Sequence, residues 1–516
     1  MNKGLKGVVI VALVLSVSRI NAYTNKTFLQ PRNQALVNLP LETTTFWERI
    51  NAPRKNRIGG SFEAVGFYGA STNNKETGKY FGINETNVIA LNRANAPLGT
   101  PTTILTTNGT FDVGYIIHDR TAALAPAGNN LSVTTIKISP ESVHFGLDFV
   151  YFQDFYKILK GLYLKVNLPI VCIENDPKFV VMGGDSVGVP VPGRLATNTN
   201  IYNFFQGRPI DGQLDADAQD ALTKGKINGK RSATGVADID VTLGYKFLKK
   251  EKYLAGINVG LSIPTGNKIT GNYLFEPVYG TRHVGLGGGI EASARLWGNQ
   301  DRNFKINVAA NYRYLFQATE VRTPGIATDN FGHYELLASG IIGGAIAPLL
   351  PAANYMTQIC KVTPGGQLDG IFGIAYKNSS FVADFGYNMY FREKEKVNTK
   401  TSLFNSTNNA QAVCFTPARA LQVGTSVGTI EGQSDFGPTT RIATSDDPAL
   451  LRDSLVAASA AETPSQFTNG IYAGLGYAFK DWTCPLMLGM GGRYEFAVKN
   501  SVLETWQIHA KAGVSF

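Results

Sequence analysis

Charge is scarce in this chain: 17% of its 516 residues are Asp, Glu, Lys or Arg, against ~25% in an ordinary soluble domain. Four cysteines are too few for a disulfide-held scaffold. The five histidines, His118, His144, His283, His333 and His509, are scattered without His-x-x-x-His or Cys-x-x-Cys spacing, so neither a metal nor a cofactor is expected. Long apolar runs are missing after residue 22. The longest, Ile341 to Pro351, is broken by Gly343, Gly344 and Pro348 and falls well short of the ~20 residues that a membrane helix needs. No Lys/Arg-rich patch is interleaved with stacking aromatics, so nucleic acid is not an expected partner. What abounds is 55 Gly, 29 Phe and 22 Tyr. That is the composition of a β-rich wall.

Residues 1–22 read as a secretory signal. Lys3 and Lys6 precede the apolar stretch Val8 to Val17, and Ile20-Asn21-Ala22 ends in a small residue. Cleavage is therefore expected between Ala22 and Tyr23. Removing Lys3, Lys6 and Arg19 leaves 45 basic and 39 acidic residues, a net charge of +6. An exported chain without a membrane helix is either soluble or enters a membrane as a closed barrel.

The carboxyl end favours the barrel. Trp506, Ile508, Ala510, Ala512, Val514 and Phe516 alternate with Thr505, Gln507, His509, Lys511, Gly513 and Ser515. An aromatic-ended alternation of ~9–11 residues suits a tilted membrane strand. The same period recurs at 381–391, 304–316, 239–247 and 284–296. Further strands fit at about 58–70, 141–154, 160–172, 252–264, 366–376, 470–479 and 484–497. Short charged turns then alternate with long insertions at about 71–140, 173–234, 318–365 and 398–468. Short periplasmic turns, long outer loops and an even strand count characterise outer-membrane barrels. Counting back from a periplasmic Phe516 gives twelve strands. Thr110 to His118 and Leu131 to Ile138 also alternate, and counting both as strands would make fourteen. Ser445-Asp446-Asp447-Pro448 predicts a loop helix over Ala449 to Glu462, and Asp215 to Leu222 is a weaker helix candidate. Residues 23–57 are either a periplasmic extension or a plug inside the lumen.

With the apolar faces towards lipid, the opposite faces line the pore. The basic lining residues would be Lys165, Lys246, Arg295, Lys305, Arg313, Arg392, Lys394, Arg493 and Lys511, with His509 among them. The acidic ones would be Asp148, Asp154, Asp238, Asp240, Glu291, Asp384 and Glu495. The near balance predicts mutual ion pairing, including Arg295 with Glu291 and Arg493 with Glu495, more than strong ion selection. Ser142 and His144 share a face, but no orienting group or Gly-x-Ser-x-Gly motif accompanies them, so no enzyme activity is expected. Gly285 to Gly289 lacks the Lys-Ser/Thr of a phosphate loop. Asp211, Asp215, Asp217 and Asp220 lack EF-hand spacing. A disulfide, if one forms, joins Cys360 to Cys414, which parity places in consecutive outer loops; four free thiols are the alternative.

Phe516 at the end of a strand resembles the carboxyl-terminal signature that barrel-assembly machinery reads in bacterial outer-membrane proteins. Leu261-Ser262-Ile263-Pro264-Thr265-Gly266-Asn267, followed by Tyr273-Leu274-Phe275-Glu276-Pro277, resembles a turn of the phenol and aromatic-degradation outer-membrane transporters, which are similar in architecture to long-chain fatty-acid channels. The long loops depart from compact members of that group, so the substrate class does not carry over. The expectation is an all-β, antiparallel transmembrane barrel of about twelve strands. It would sit in outer-membrane lipid as a porin-like passive channel for small solutes. The alternative is a structural or adhesive barrel that binds partners through its outer loops. Oligomeric state is not legible.

Overall fold

The computed structural model describes residues 23–43, 59–92, 110–112, 116–117, 134–183, 198–211, 219–326, 331–339, 349–399, 413–415 and 456–516. Twelve antiparallel strands form the wall: β1 (Gly60–Ser71), β2 (Glu141–Asp154), β3 (Leu162–Asp176), β4 (Ile239–Lys249), β5 (Tyr253–Ile263), β6 (Gly285–Gly298), β7 (Arg302–Leu315), β8 (Gly365–Asn378), β9 (Phe381–Arg392), β10 (Gln466–Phe479), β11 (Leu486–Ala497) and β12 (Thr505–Ser515). Each pairs with its neighbour in sequence. β1 also pairs with β12, from Ser61 opposite Ser515 to Ser71 opposite Thr505, so the sheet closes on itself. Closure pairs the first wall strand with the last, which is the condition for a sheet to stand in lipid; a short additional strand, 231–236, pairs with 170–175 of β3.

Alternation decides the two faces. Phe385, Ile257, Leu243, Met490 and Ile508 are each more than half exposed on the outside. Asp148, Asn167, Gln507 and Lys511, on the opposite parity, are buried within. A bulge between Arg295 and Trp297 interrupts the β6–β7 register, so Leu296 and Trp297 both face outward at the lower rim. No helix among the described residues is long and apolar enough to cross a membrane.

The turns 155–161, 250–252, 299–301, 379–380 and 480–485 all lie at the end holding Gly59 and Phe516. The long connections all lie at the other end. There they fold into a cap. Residues 88–92, 110–112, 134–137 and 180–182 form a small four-stranded sheet. The two alternating stretches that could have raised the count to fourteen belong partly to this sheet and not to the wall: the ladders are three and four residues long, too short to span. Tyr80, Phe81, Ile89, Ile136, Phe204, Phe205, Leu274, Phe331 and Tyr334 pack together beneath it. The expected helix at 449–462 differs where it is described. Val456–Ala457 pairs with Gly325–Ile326, and Ala458–Ala461 is a 3-10 turn; residues 449–455 lie outside the described residues. Residues 215–218 also lie outside them, and Gln219 to Leu222 are not helical.

Candidate functional site

The inward face of the wall encloses the amino-terminal segment. Tyr23 N donates to Asn500 Oδ1 at 2.8 Å, in the turn between β11 and β12 at the long-loop end. Asn25, Lys26 and Thr27 bond backbone to backbone with Gly82, Tyr80 and Ala460 of the cap. From there the chain descends. Helix α1 (Gln34–Thr43) starts with Asn33, whose Oδ1 accepts from Ala35 N at 2.8 Å, the capping geometry expected of Asn. Pro40 lies within it and removes one backbone donor.

Charged and amide side chains of the wall hold the descending segment. Arg32 Nη1 lies 2.7 and 2.8 Å from the two carboxylate oxygens of Glu495, and its guanidinium stacks over the Tyr390 ring at 4.0 Å. Asn38 Nδ2 donates to Asp148 at 3.0 Å. Arg493 donates to Val37 O, and Lys165 and Asn167 both donate to Glu42. Lys511 Nζ donates to Leu41 O at 2.7 Å and Glu42 O at 3.1 Å. A cation against the last carbonyls of α1 also complements the negative end of its dipole.

The predicted lining residues divide accordingly. Asp148, Lys165, Arg493, Glu495 and Lys511 contact the segment. Asp240 is held by Arg313 at 2.7 and 3.2 Å and faces Asn33. Lys246 rests over the rings of Phe152 and Tyr163, which stack at 5.2 Å. Tyr163 lies across Gly244, where a Cβ would collide with its ring. Glu291 lines a cavity described next. Lys305 and Asp384 sit half-buried on inward positions of β7 and β9, and His509 is buried with both ring nitrogens unpartnered. Arg493 pairs with Glu495 at 3.2 Å.

Four expectations are corrected. Arg295 pairs with Glu251 of the adjoining turn at 2.6 Å, not with Glu291, because four residues along a strand separate two side chains by ~13 Å. Asp238 does not line the pore: it accepts from Thr281 N and Oγ1, both at 2.6 Å, and so ties the loop before β6 to the wall. Lys394 lies beyond the end of β9, in the cap, and pairs with Glu462 at 2.7 Å. Cys360 is a buried free thiol whose strand pairs with 318–322 and 396–399. Cys414 is in a different small sheet, so the two are not joined. Ser142 and His144 share no hydrogen bond; His144 lies beside Phe67 instead. Among the described residues no cluster could hold a metal.

Sequence reasoning offered residues 23–57 as a lumen plug but did not single out the contacts of Asn33, Asn38 and Glu42, for want of any periodic signal in a short polar segment. It also missed a buried charge cluster where the segment meets the cap. Arg392 binds Glu395 at 2.6 Å, Arg322 binds Glu320 at 2.6 Å, and His283 Nε2 lies 3.0 Å from Glu320. Arg322 donates to Gln30 Oε1 at 3.0 Å and stacks on Phe28 at 3.5 Å. Burial pushes the Glu320 carboxyl up, but Arg322 and then His283 outweigh it and hold the group below the usual carboxylate range.

Among the described residues, 23–43 do not fill the lumen. Between α1 and strands β1 to β7 a cavity of about 160 Å³ remains. Gly260 explains part of the space: a Cβ there would meet nothing nearer than 3.8 Å.

No family model and no curated protein matches the chain. Among solved structures it is similar to an outer-membrane channel from Pseudomonas putida F1 (10% identity, TM-score 0.37, covering 90% of this chain and 100% of that one). It is similar to a Pseudomonas aeruginosa FadL homologue (7%, 0.28, 97% and 99%). It is also similar to the Ralstonia pickettii toluene transporter TbuX (9%, 0.27, 97% and 97%).

Proposed function

We propose that the protein is an outer-membrane channel, porin-like and passive, for small solutes, narrowed by its own amino-terminal segment. Export under a signal cleaved between Ala22 and Tyr23, reading of Phe516 by the assembly machinery, and outer-membrane lipid as the surrounding partner belong to the same reading. The observation that carries it is the two-sided lumen. One side is occupied by α1 through hydrogen bonds and ion pairs; the other keeps a cavity with polar and apolar lining. A wall with a packed core inside would need neither.

Planar-bilayer conductance of the refolded chain tests this. The expected trace shows small openings that enlarge in Arg32→Ala, and silence in both proteins would refute it. The second reading, a barrel that binds partners through its outer loops, draws on the cap's own packed core of Phe204, Phe205, Phe331 and Tyr334. That reading expects silence, together with loop-dependent adhesion.

A further inference from the structure

We infer that the cavity beside α1 binds a small amphipathic ammonium, a single-ring or short-chain amine. This rests on the channel reading for how the ligand arrives, and not for the binding itself.

Size comes first. About 160 Å³ is available, and a cavity of about 150 Å³ accommodates one benzene ring. The lining then has two unlike sides. α1 presents Ala35, Leu36 and Leu39, an apolar strip that Val150 and Phe152 continue on the wall, while amides and charges of the wall gather at Asn167, Asp240 and Glu291. A ligand lying between them needs an apolar body and a polar end.

The sign of the polar end follows from what is already satisfied. Lys165 is bound to Glu42, and Arg313 to Asp240. The lining's buried side-chain atoms without a hydrogen-bond partner are Asn167 Oδ1, Glu291 Oε1 and Glu63 Oε1, the last facing Lys511 Nζ at 3.3 Å. All three are acceptors. Asn167 is 2% exposed, and its Nδ2 is committed to Glu42 and Asp148, so only its oxygen is left. Among the lining's fully buried side-chain atoms no donor is left without a partner, so an anion would have to compete for Lys165 and Arg313, which Glu42 and Asp240 already hold. A hydrocarbon would leave a carboxylate oxygen and an amide oxygen dry, at a cost per group that exceeds a typical hydrogen bond's net worth. An ammonium brings three donors and no acceptor. The Tyr163 hydroxyl reaches the Glu291 carboxylate, and Lys246 stands beside it. Lys246 already covers the Phe152 and Tyr163 rings, at 5.2 and 4.8 Å. The ligand's cation therefore belongs at the Glu291 carboxylate and not on those ring faces.

The test is isothermal titration calorimetry of the full refolded chain with 2-phenylethylamine, 2-phenylethanol and 3-phenylpropionate. The amine should bind at least about tenfold tighter than the alcohol, the carboxylate should give no heat, and Glu291→Gln should cost the amine about tenfold. Gly260→Trp, which fills the cavity, should abolish binding while a heat-modifiable gel band shows that the barrel is intact. Equal binding of the three probes overturns the inference. So does an unaffected Glu291→Gln, binding that survives in folded Gly260→Trp, or no binding by folded wild-type protein. Conductance of the same preparation separates the two readings: a pore that conducts without binding amine loses the site alone, and binding without conductance loses the channel alone.

Discussion

Arg32 and Glu495 face each other with one guanidinium nitrogen 2.7 and 2.8 Å from both carboxylate oxygens, at 9% and 1% side-chain exposure. The pair joins residues 463 positions apart and anchors the threaded segment to β11. Truncating one member of a buried pair strands the other and typically costs about 3–5 kcal/mol. Here Arg493 remains 3.2 Å from Glu495, so the loss should fall below that range. Arg32→Ala should loosen the segment, visible as larger channel openings and faster proteolysis within residues 23–43. The exchange Arg32→Glu with Glu495→Arg should recover part of the wild-type trace. Identical traces from all three proteins would show that the anchor does not hold the segment.

The face assignment is open to a paired comparison. Phe385 is 58% exposed on the outside, and Phe385→Arg should destabilise the barrel by roughly 2–4 kcal/mol if it sits at mid-membrane. Gly260→Arg places the same charge inside the lumen, where an added side chain meets open space, and should cost far less. Urea unfolding in lipid vesicles measures both. Equal costs would mean that inside and outside are exchanged.

Thiol chemistry reads the same topology. Cys484 is exposed at the short-turn end, Cys172 is half-buried and Cys360 is buried. Burial, against a weaker opposing effect of Arg322, pushes the Cys360 thiol up to about 11, and the thiolate is the reactive form. A maleimide should label Cys484 within the folded protein and Cys360 only after unfolding. Prompt labelling of Cys360 would refute the packing of the strand beneath it.

Acid should loosen the cap. His333 is 1% exposed, lies against Phe331 and Tyr334, and has neither ring nitrogen partnered. Burial lowers its pKa to about 3. The unfolded chain takes up a proton near pH 6.5, and the folded one only near 3. The stabilisation is therefore complete above about pH 6.5 and declines as the pH falls towards 3, by roughly 2–3 kcal/mol between pH 6.5 and 4.5. Hydrogen exchange of residues 331–337 should accelerate over that window, and His333→Phe should flatten the response. An unchanged slope in His333→Phe would assign the acid sensitivity elsewhere.

Much of the wall was legible because a strand's period of two writes its faces directly into residues such as Phe381 to Arg392, and because loop lengths alternated. Parity fixed twelve from Phe516 backwards. What escaped notice has physical causes. Thr134 to Lys137 alternates because a capping sheet also has two unlike faces, and alternation does not say which body lies behind it. The pairing of Arg295 was misjudged by treating a spacing of four as proximity, true on a helix and false on a strand. The lumenal segment is short, polar and non-repeating. Its partners are chosen by position inside a ring, which no local pattern encodes.

That ring has an order of events built into it. Tyr23 is bonded at one mouth of the barrel and Gly60 begins the wall at the other, so the polypeptide passes through a closed hoop of which it is itself a part. A thread cannot be laid sideways into a hoop already shut. Either the seam between the first and last strands zips only after residues 23–43 have been gathered inside, or this segment is drawn lengthwise through the finished opening. In the first case the Arg32 and Lys511 contacts are a template around which the wall is sewn. The final stitch, β1 to β12, then commits residues 23–43 to the interior.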